Sequence, residues 1–182
     1  MKTVEITQMI NTMSVDELKQ RLTDYITNDP QLMPQTIAIE VRMCNKINAS
    51  CRYEVVLVNE DGAETIVKFR DRYARLMYIY TLMHPKGYQR YTAEANDFKT
   101  MRALYSMLYF RDGDNLLKTA NKNREHFFNH YVAQARNAIR QATTAADRVM
   151  IAPPQQHNGK LLIPFVAEGG QVIIDETLKR NM

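Results

Sequence analysis

Phe128, Val132, Ala135 and Ile139 recur at spacings of four, three and four within the stretch Asn123–Ala142. That spacing puts the four on one side of an α-helix, whereas a strand would divide them between two faces. A long helix with one apolar side has to lay that side on a core. The opposite side carries Arg124, Asn129, His130, Gln134, Arg136, Asn137 and Arg140, with Ala133 as its only small break. Long-armed basic and amide side chains are common on any solvated helix face. Arg, Asn and Gln are also the side chains that can meet the edge of a base with two hydrogen bonds at once.

The helical period extends upstream. Over 94–109 it places Phe98, Met101, Tyr105 and Leu108 inward. Over 70–84 Tyr73, Leu76, Tyr80 and Met83 share a face that Met77 and Ile79 widen, and Pro85 and Gly87 end the helix. A short extended piece, Gly87–Tyr91, separates the two. The tyrosines stand at core spacing and are read as core, with stacking on bases as the minor alternative. Asn121 or Asn123 is suited to cap the long helix, and Glu125 to its positive end.

Before residue 70 the period is two. Ile37, Ile39 and Val41 alternate with Ala38, Glu40 and Arg42 over 36–43, and 52–58 is rich in β-branched residues. Asp61-Gly62 signals a hairpin turn into a third strand, Thr65–Phe69. Residues 36–69 therefore predict an antiparallel meander. Ser14-Val-Asp-Glu17 has the form of a capping box. It opens an appended helix over 15–28 with an apolar stripe of Leu18, Leu22, Tyr25 and Ile26, stopped before Pro30. At the other end, after a linker over 143–158, Lys160–Phe165 and Gln171–Ile174 flank Glu168-Gly169-Gly170 and predict a β-hairpin. The last residues are polar and expected to fray.

Charge is unevenly spread. Residues 1–69 hold 7 basic and 10 acidic side chains, residues 70–143 hold 13 and 6, and residues 144–182 hold 4 and 4. The helical block alone is net +7, a footprint for an anionic partner or a solvated basic surface. No apolar run reaches the roughly 20 residues a membrane crossing takes, and the N-terminus lacks the apolar core of a signal peptide. Cys44 and Cys51 are too few for a disulfide scaffold and are read as structural thiols near opposite ends of one loop, in a cytoplasmic chain. His126 and His130 are four apart but lack the H-E-x-x-H order and a third ligand, so neither a metal nor a cofactor is expected. Asp112-Gly-Asp114 lacks the further ligands of a calcium loop. There is no G-x-S-x-G and no Gly-rich phosphate loop, and the chain is read as a non-enzyme.

Three strands, helix, short strand, helix, loop, long helix and hairpin form an order that resembles the winged helix-turn-helix effector domain of OmpR/PhoB-type response regulators, over roughly residues 36–175. The family's recognition helix has the pattern V-x-x-x-I-x-x-L-R-x-x-L, onto which Phe128, Val132, Ala135, Arg136 and Ile139 fall. The resemblance implies an α+β fold with a three-helix core, an N-terminal antiparallel sheet, a C-terminal β-hairpin wing and an appended N-terminal helix. The division would be a helical extension over 1–35, a winged-helix-like domain over 36–175 and a flexible tail over 176–182. It implies a transcriptional regulator whose partner is double-stranded DNA. By this match Asn129, Ala133, Arg136, Asn137 and Arg140 would be the side chains set against DNA; the polar face of the helix adds Arg124, His130 and Gln134 and the wing adds Lys160, and the loop Phe110–Thr119 would be the one that meets polymerase. A homodimer is compatible with this reading. Two features favour an alternative with the same fold, a protein–protein interaction or scaffold protein without nucleic-acid binding. Val166–Gln171 carries Glu168 where the family's wing has a base, and a carboxylate near phosphates is unfavourable. Residues 1–35 are also too short for a receiver domain.

Overall fold

The computed structural model describes residues 14–17, 19–20, 35–45, 50–89, 95–110, 118, 120, 122–144, 147–151, 155–157 and 160–180. Its class is α+β. Strands β1 (Thr36–Met43), β2 (Tyr53–Asn59) and β3 (Glu64–Ile66) form the expected antiparallel meander. Ile39 lies opposite Leu57 and Val41 opposite Val55, and these four form one buried face with Tyr53; Ile37, expected on that face, is exposed beside the register shift between Thr36 and Ala38, and Ala38 and Val56 are buried on the opposite face. The β2–β3 turn uses Gly62 at φ +79°, and the Ala63 amide donates to Asp61 Oδ1 at 2.9 Å. β3 ends at Ile66 rather than Phe69, because the chain must leave the sheet to reach the cap of the next helix at Asp71.

On the outer face Arg42 gathers the acids of its neighbours. Its Nη1 and Nη2 donate to the two oxygens of Glu64 at 2.9 and 2.6 Å, and its Nε donates to Glu54 at 3.2 Å. The hydrogen bonds from Arg42 hold the Glu64 carboxyl below its ordinary value. A lowered folded-state pKa means that the stabilisation is present above the unfolded-state pKa and is lost as pH falls through the folded one. The urea midpoint of Glu64→Gln is therefore expected below that of the wild type at neutral pH, with the gap closing at a pH below the carboxylate range. A gap of the same size at both pH values would contradict this account of the pair.

Helix α1 (Arg72–Leu82) starts at Asp71, whose Oδ1 accepts from the Tyr73 and Ala74 amides at 2.7 and 3.2 Å. The periodicity predicts a one-sided helix, yet every residue from Tyr73 to Leu82 is buried except Arg75. A helix apolar on all sides belongs in the middle of a core. After the short β4 (Tyr88–Gln89) come α2 (Ala95–Tyr109) and the long α3 (Arg124–Ala142). The Asn123 side chain caps α3 by accepting from the His126 amide at 3.0 Å, with Glu125 in the first turn. Phe128, Val132, Ala135 and Ile139 are all buried, in one cluster with Leu76, Tyr80, Met101 and Tyr105. Phe127 is buried too; its ring lies 6.0 Å from Tyr73, while Phe128 reaches Phe98 at 6.2 Å and Tyr88 at 6.3 Å.

The C-terminal third departs from the expectation. Lys160–Phe165 and Gln171–Ile174 do not form a hairpin. After α4 (Asp147–Met150), strands β5 (Gln155–His157) and β6 (Lys160–Leu162) make the hairpin, and β4 completes a three-stranded antiparallel sheet in the order β4-β6-β5. Pro164 then opens the short helix α5 (Pro164–Ala167), since proline needs no N–H at a first helical position. Glu168, Gly169 and Gly170 end that helix rather than turn a hairpin. Gly169 takes φ +89°, its N–H donates to the Val166 carbonyl at 3.2 Å, and the Gly170 N–H donates to that of Phe165 at 2.8 Å. This is the paired-bond helix terminus for which glycine is favoured. The chain is thereby turned to β7 (Gln171–Ile174), which joins the first sheet parallel to β1 and gives the order β3-β2-β1-β7.

Two further placements bear on the division of the chain. Residues 176–180, assigned by the resemblance to a flexible tail, form helix α6 (Glu176–Arg180), anchored by the fully buried Leu178. At the other end, Ser14 and Glu17 cap each other: the Ser14 amide donates to Glu17 Oε2 at 2.9 Å and the Glu17 amide to Ser14 Oγ at 3.3 Å. Residues 15–17 and 19–20 are helical, while Leu18, Leu22, Tyr25 and Ile26 lie outside the described residues, as does most of the loop Phe110–Thr119. Among the described residues no helix is long and apolar enough to cross a membrane.

Candidate nucleic-acid interface

With Phe127, Phe128, Val132, Ala135, Ala138 and Ile139 turned inward, the rest of α3 is fixed as an outer face. His126, Asn129, His130, Ala133, Asn137, Arg140 and Gln141 are exposed along it. Beyond Glu125 in the first turn no carboxylate occurs in the helix. The His126 and His130 rings stack at 5.7 Å and 20°, one turn apart, so their edges follow the same direction along the helix.

The residues expected to serve as a binding site separate into three groups. Asn129, His130, Asn137 and Arg140 are exposed on the α3 face, and Gln134 and Arg136 are half-buried at its margins. Arg124 is the first residue of α3, and its side chain lies outside the described residues. Lys160 is exposed at the head of β6, where the β5–β6 hairpin turns, His157 and Lys160 being paired across that turn. Glu168 is not in this hairpin; it sits at the C-terminal cap of α5.

Residues from the β3–α1 connection join this face. Lys68, Arg70 and Asp71 line a groove of 210 Å³ with Gln134, Asn137, Arg140 and Gln141. Three cations and three amides thus border one depression against a single carboxylate, and that carboxylate is engaged as the cap of α1. Lys68 and Arg70 are additions to the residues that the helical pattern points to. Their distance in sequence from α3 hides the convergence, and only the start of the basic block at residue 70 hints at it. Chemically, such a groove offers charge-assisted donors for an anion, next to amides that can both donate and accept.

Comparison with known proteins finds no family model that matches the chain, no similar curated protein and no similar solved structure.

Proposed function

We propose that residues 72–162 form a winged helix-turn-helix unit that binds double-stranded DNA as a transcriptional regulator. In this reading α3 is the recognition helix and the β5–β6 hairpin is the wing. The element order α1-β4-α2-α3-α4-β5-β6 and the joining of β4 to the hairpin support it. The single observation that carries it is the outer face of α3, where exposed Asn129, His130, Asn137 and Arg140 run into the cationic groove with Lys68 and Arg70. Arg136, Arg140 and Lys160 are the cations offered to phosphates, and Asn129 and Asn137 the amides offered to base edges. Moving the wing to residues 155–162 also removes Glu168 from it, the feature that counted most against DNA.

The reading is tested by titrating random-sequence and selected duplexes with the wild type, Arg140→Ala and Asn137→Ala. If Arg140 holds a phosphate, its removal weakens binding to all sequences alike. If Asn137 reads a base edge, its removal costs about 1–3 kcal/mol at one base pair only. A second reading, a protein-interaction module, has one observation in its favour. Ile66, Val56, Glu40 and Ile173 stand in register across the four-stranded sheet, with Ile66 and Ile173 exposed. Duplex binding that is absent at low salt would favour that reading.

A further inference from the structure

Arg70 and Asp71 border two depressions. One is the groove along α3; the other is a cavity of 340 Å³ in which Arg70, Arg72 and Arg75 meet Ser50 and Tyr109. Three arginines therefore line this cavity against one carboxylate, the Arg72 guanidinium lying over the Tyr73 and Tyr105 rings at 5.1 and 5.8 Å, and Asp71 already accepts two amide hydrogen bonds from the first turn of α1. Among the described residues none of the three arginines forms an ion pair.

Arg75 is held in place before any ligand arrives. Its Nη1 donates to the Tyr53 carbonyl at 3.3 Å, and its guanidinium lies 5.7 Å from the centre of the Phe69 ring. Among the described residues its buried Nε has no hydrogen-bond partner. Arg72 is the first residue of α1, which adds the positive end of an 11-residue helix. Tyr109 donates its hydroxyl to the Arg72 carbonyl at 3.2 Å, and burial pushes its phenol pKa up, so it remains a neutral donor.

We propose that this cavity is a binding site for a phosphoryl group, held by the arginine forks of Arg70, Arg72 and Arg75 with the Ser50 hydroxyl. Guanidinium groups meet phosphate oxygens with two parallel hydrogen bonds, which a lysine cluster does not. The cavity volume falls at the small end of the range for small-molecule sites, roughly 300–1,000 Å³. The proposal does not rest on the DNA reading, since Ser50, Arg72 and Arg75 lie off α3. The phosphoryl group has two sources, a free phosphate or phosphorylated small molecule and the phosphodiester backbone of a nucleic acid.

The experiment is calorimetric titration of the full chain with inorganic phosphate and, separately, with dimethyl phosphate as a diester probe. Wild type, Arg72→Gln, Arg75→Lys and the charge-matched control Lys99→Gln are compared. Phosphate is expected to bind saturably at one site, about tenfold or more weaker in both arginine variants, and unchanged in Lys99→Gln. Should Arg75→Lys fail to fold, Arg72→Gln decides alone, because Arg72 is exposed. Preference for phosphate over dimethyl phosphate supports the proposal with a free phosphoryl ligand as the source. Equal binding of both, displaced by duplex, supports it with the backbone as the source. No saturable phosphate binding, or binding that Arg72→Gln leaves unchanged, overturns it. Phosphate binding by a chain that fails to bind duplex would leave this site standing without the DNA reading.

Discussion

Phe128→Ala is expected to destabilise the protein by about 3–5 kcal/mol, the range for removing a large aromatic side chain from a core. The side chain is fully buried, and its ring is where three elements meet: α3 itself, α2 through Phe98 and β4 through Tyr88. Truncation leaves a cavity that none of these elements can fill without moving another. A loss of this size is a large part of the roughly 5–15 kcal/mol that holds a typical domain together. Urea unfolding of the variant beside the wild type measures it. His130→Ala, two residues on and exposed, is expected to fall within about 0.5 kcal/mol of the wild type. Equal effects of the two substitutions would mean that the helix is rotated from the register described.

The second large effect is expected at Gly87. Among the described residues three glycines have positive φ, and their surroundings differ. At Gly62, φ +79°, a Cβ would meet nothing within 4 Å. At Gly87, φ +70°, it would lie 2.9 Å from the Leu161 carbonyl oxygen and 3.1 Å from the Lys160 Cβ. Gly62→Val therefore bears only the left-handed backbone cost, about 1–3 kcal/mol. Gly87→Val bears that cost and also pushes β6 away from β4, adding roughly 1–3 kcal/mol of overpacking. The measurement is the difference in urea midpoint between the two variants, with hydrogen exchange of the Leu161 amide as the local readout. Equal stability of both, with β6 exchange unchanged, would contradict the close approach of the α1–β4 connection to β6.

The helical core is largely legible in the chain because its signals are local. The spacing from Phe128 to Ile139 marks the inward side of α3, Asn123 its start, and Asp61-Gly62 the β2–β3 turn. The C-terminal third misleads for an equally local reason. A glycine with positive φ ends a helix as readily as it turns a hairpin, so Glu168-Gly169-Gly170 fits either role. Pro164 as a helix opener is the signal that separates them. The hairpin that does form has a signal of its own, since Asn158-Gly159 between His157 and Lys160 is a preferred two-residue turn sequence, although it sits at the end of a stretch with the composition of a linker. Full burial of α1 is hidden because periodicity reports one face and α1 has none to spare. The cationic cavity is least legible of all: Ser50, Arg72 and Tyr109 are brought together by the fold and share no spacing in the chain.

The proposed function requires duplex DNA to lie against the outer face of α3, and the salt dependence of duplex binding tests that most directly. Binding through phosphates releases counterions, so the logarithm of the affinity falls linearly with the logarithm of salt concentration, with a slope of about −0.9 per phosphate neutralised. With Arg136, Arg140 and Lys160 on phosphates, the wild-type slope is expected to be about −2.7 or steeper. Each of Arg136→Ala, Arg140→Ala and Lys160→Ala is expected to reduce its magnitude by about one. A slope near zero, or one that all three substitutions leave unchanged, would contradict the claim that this face carries the DNA.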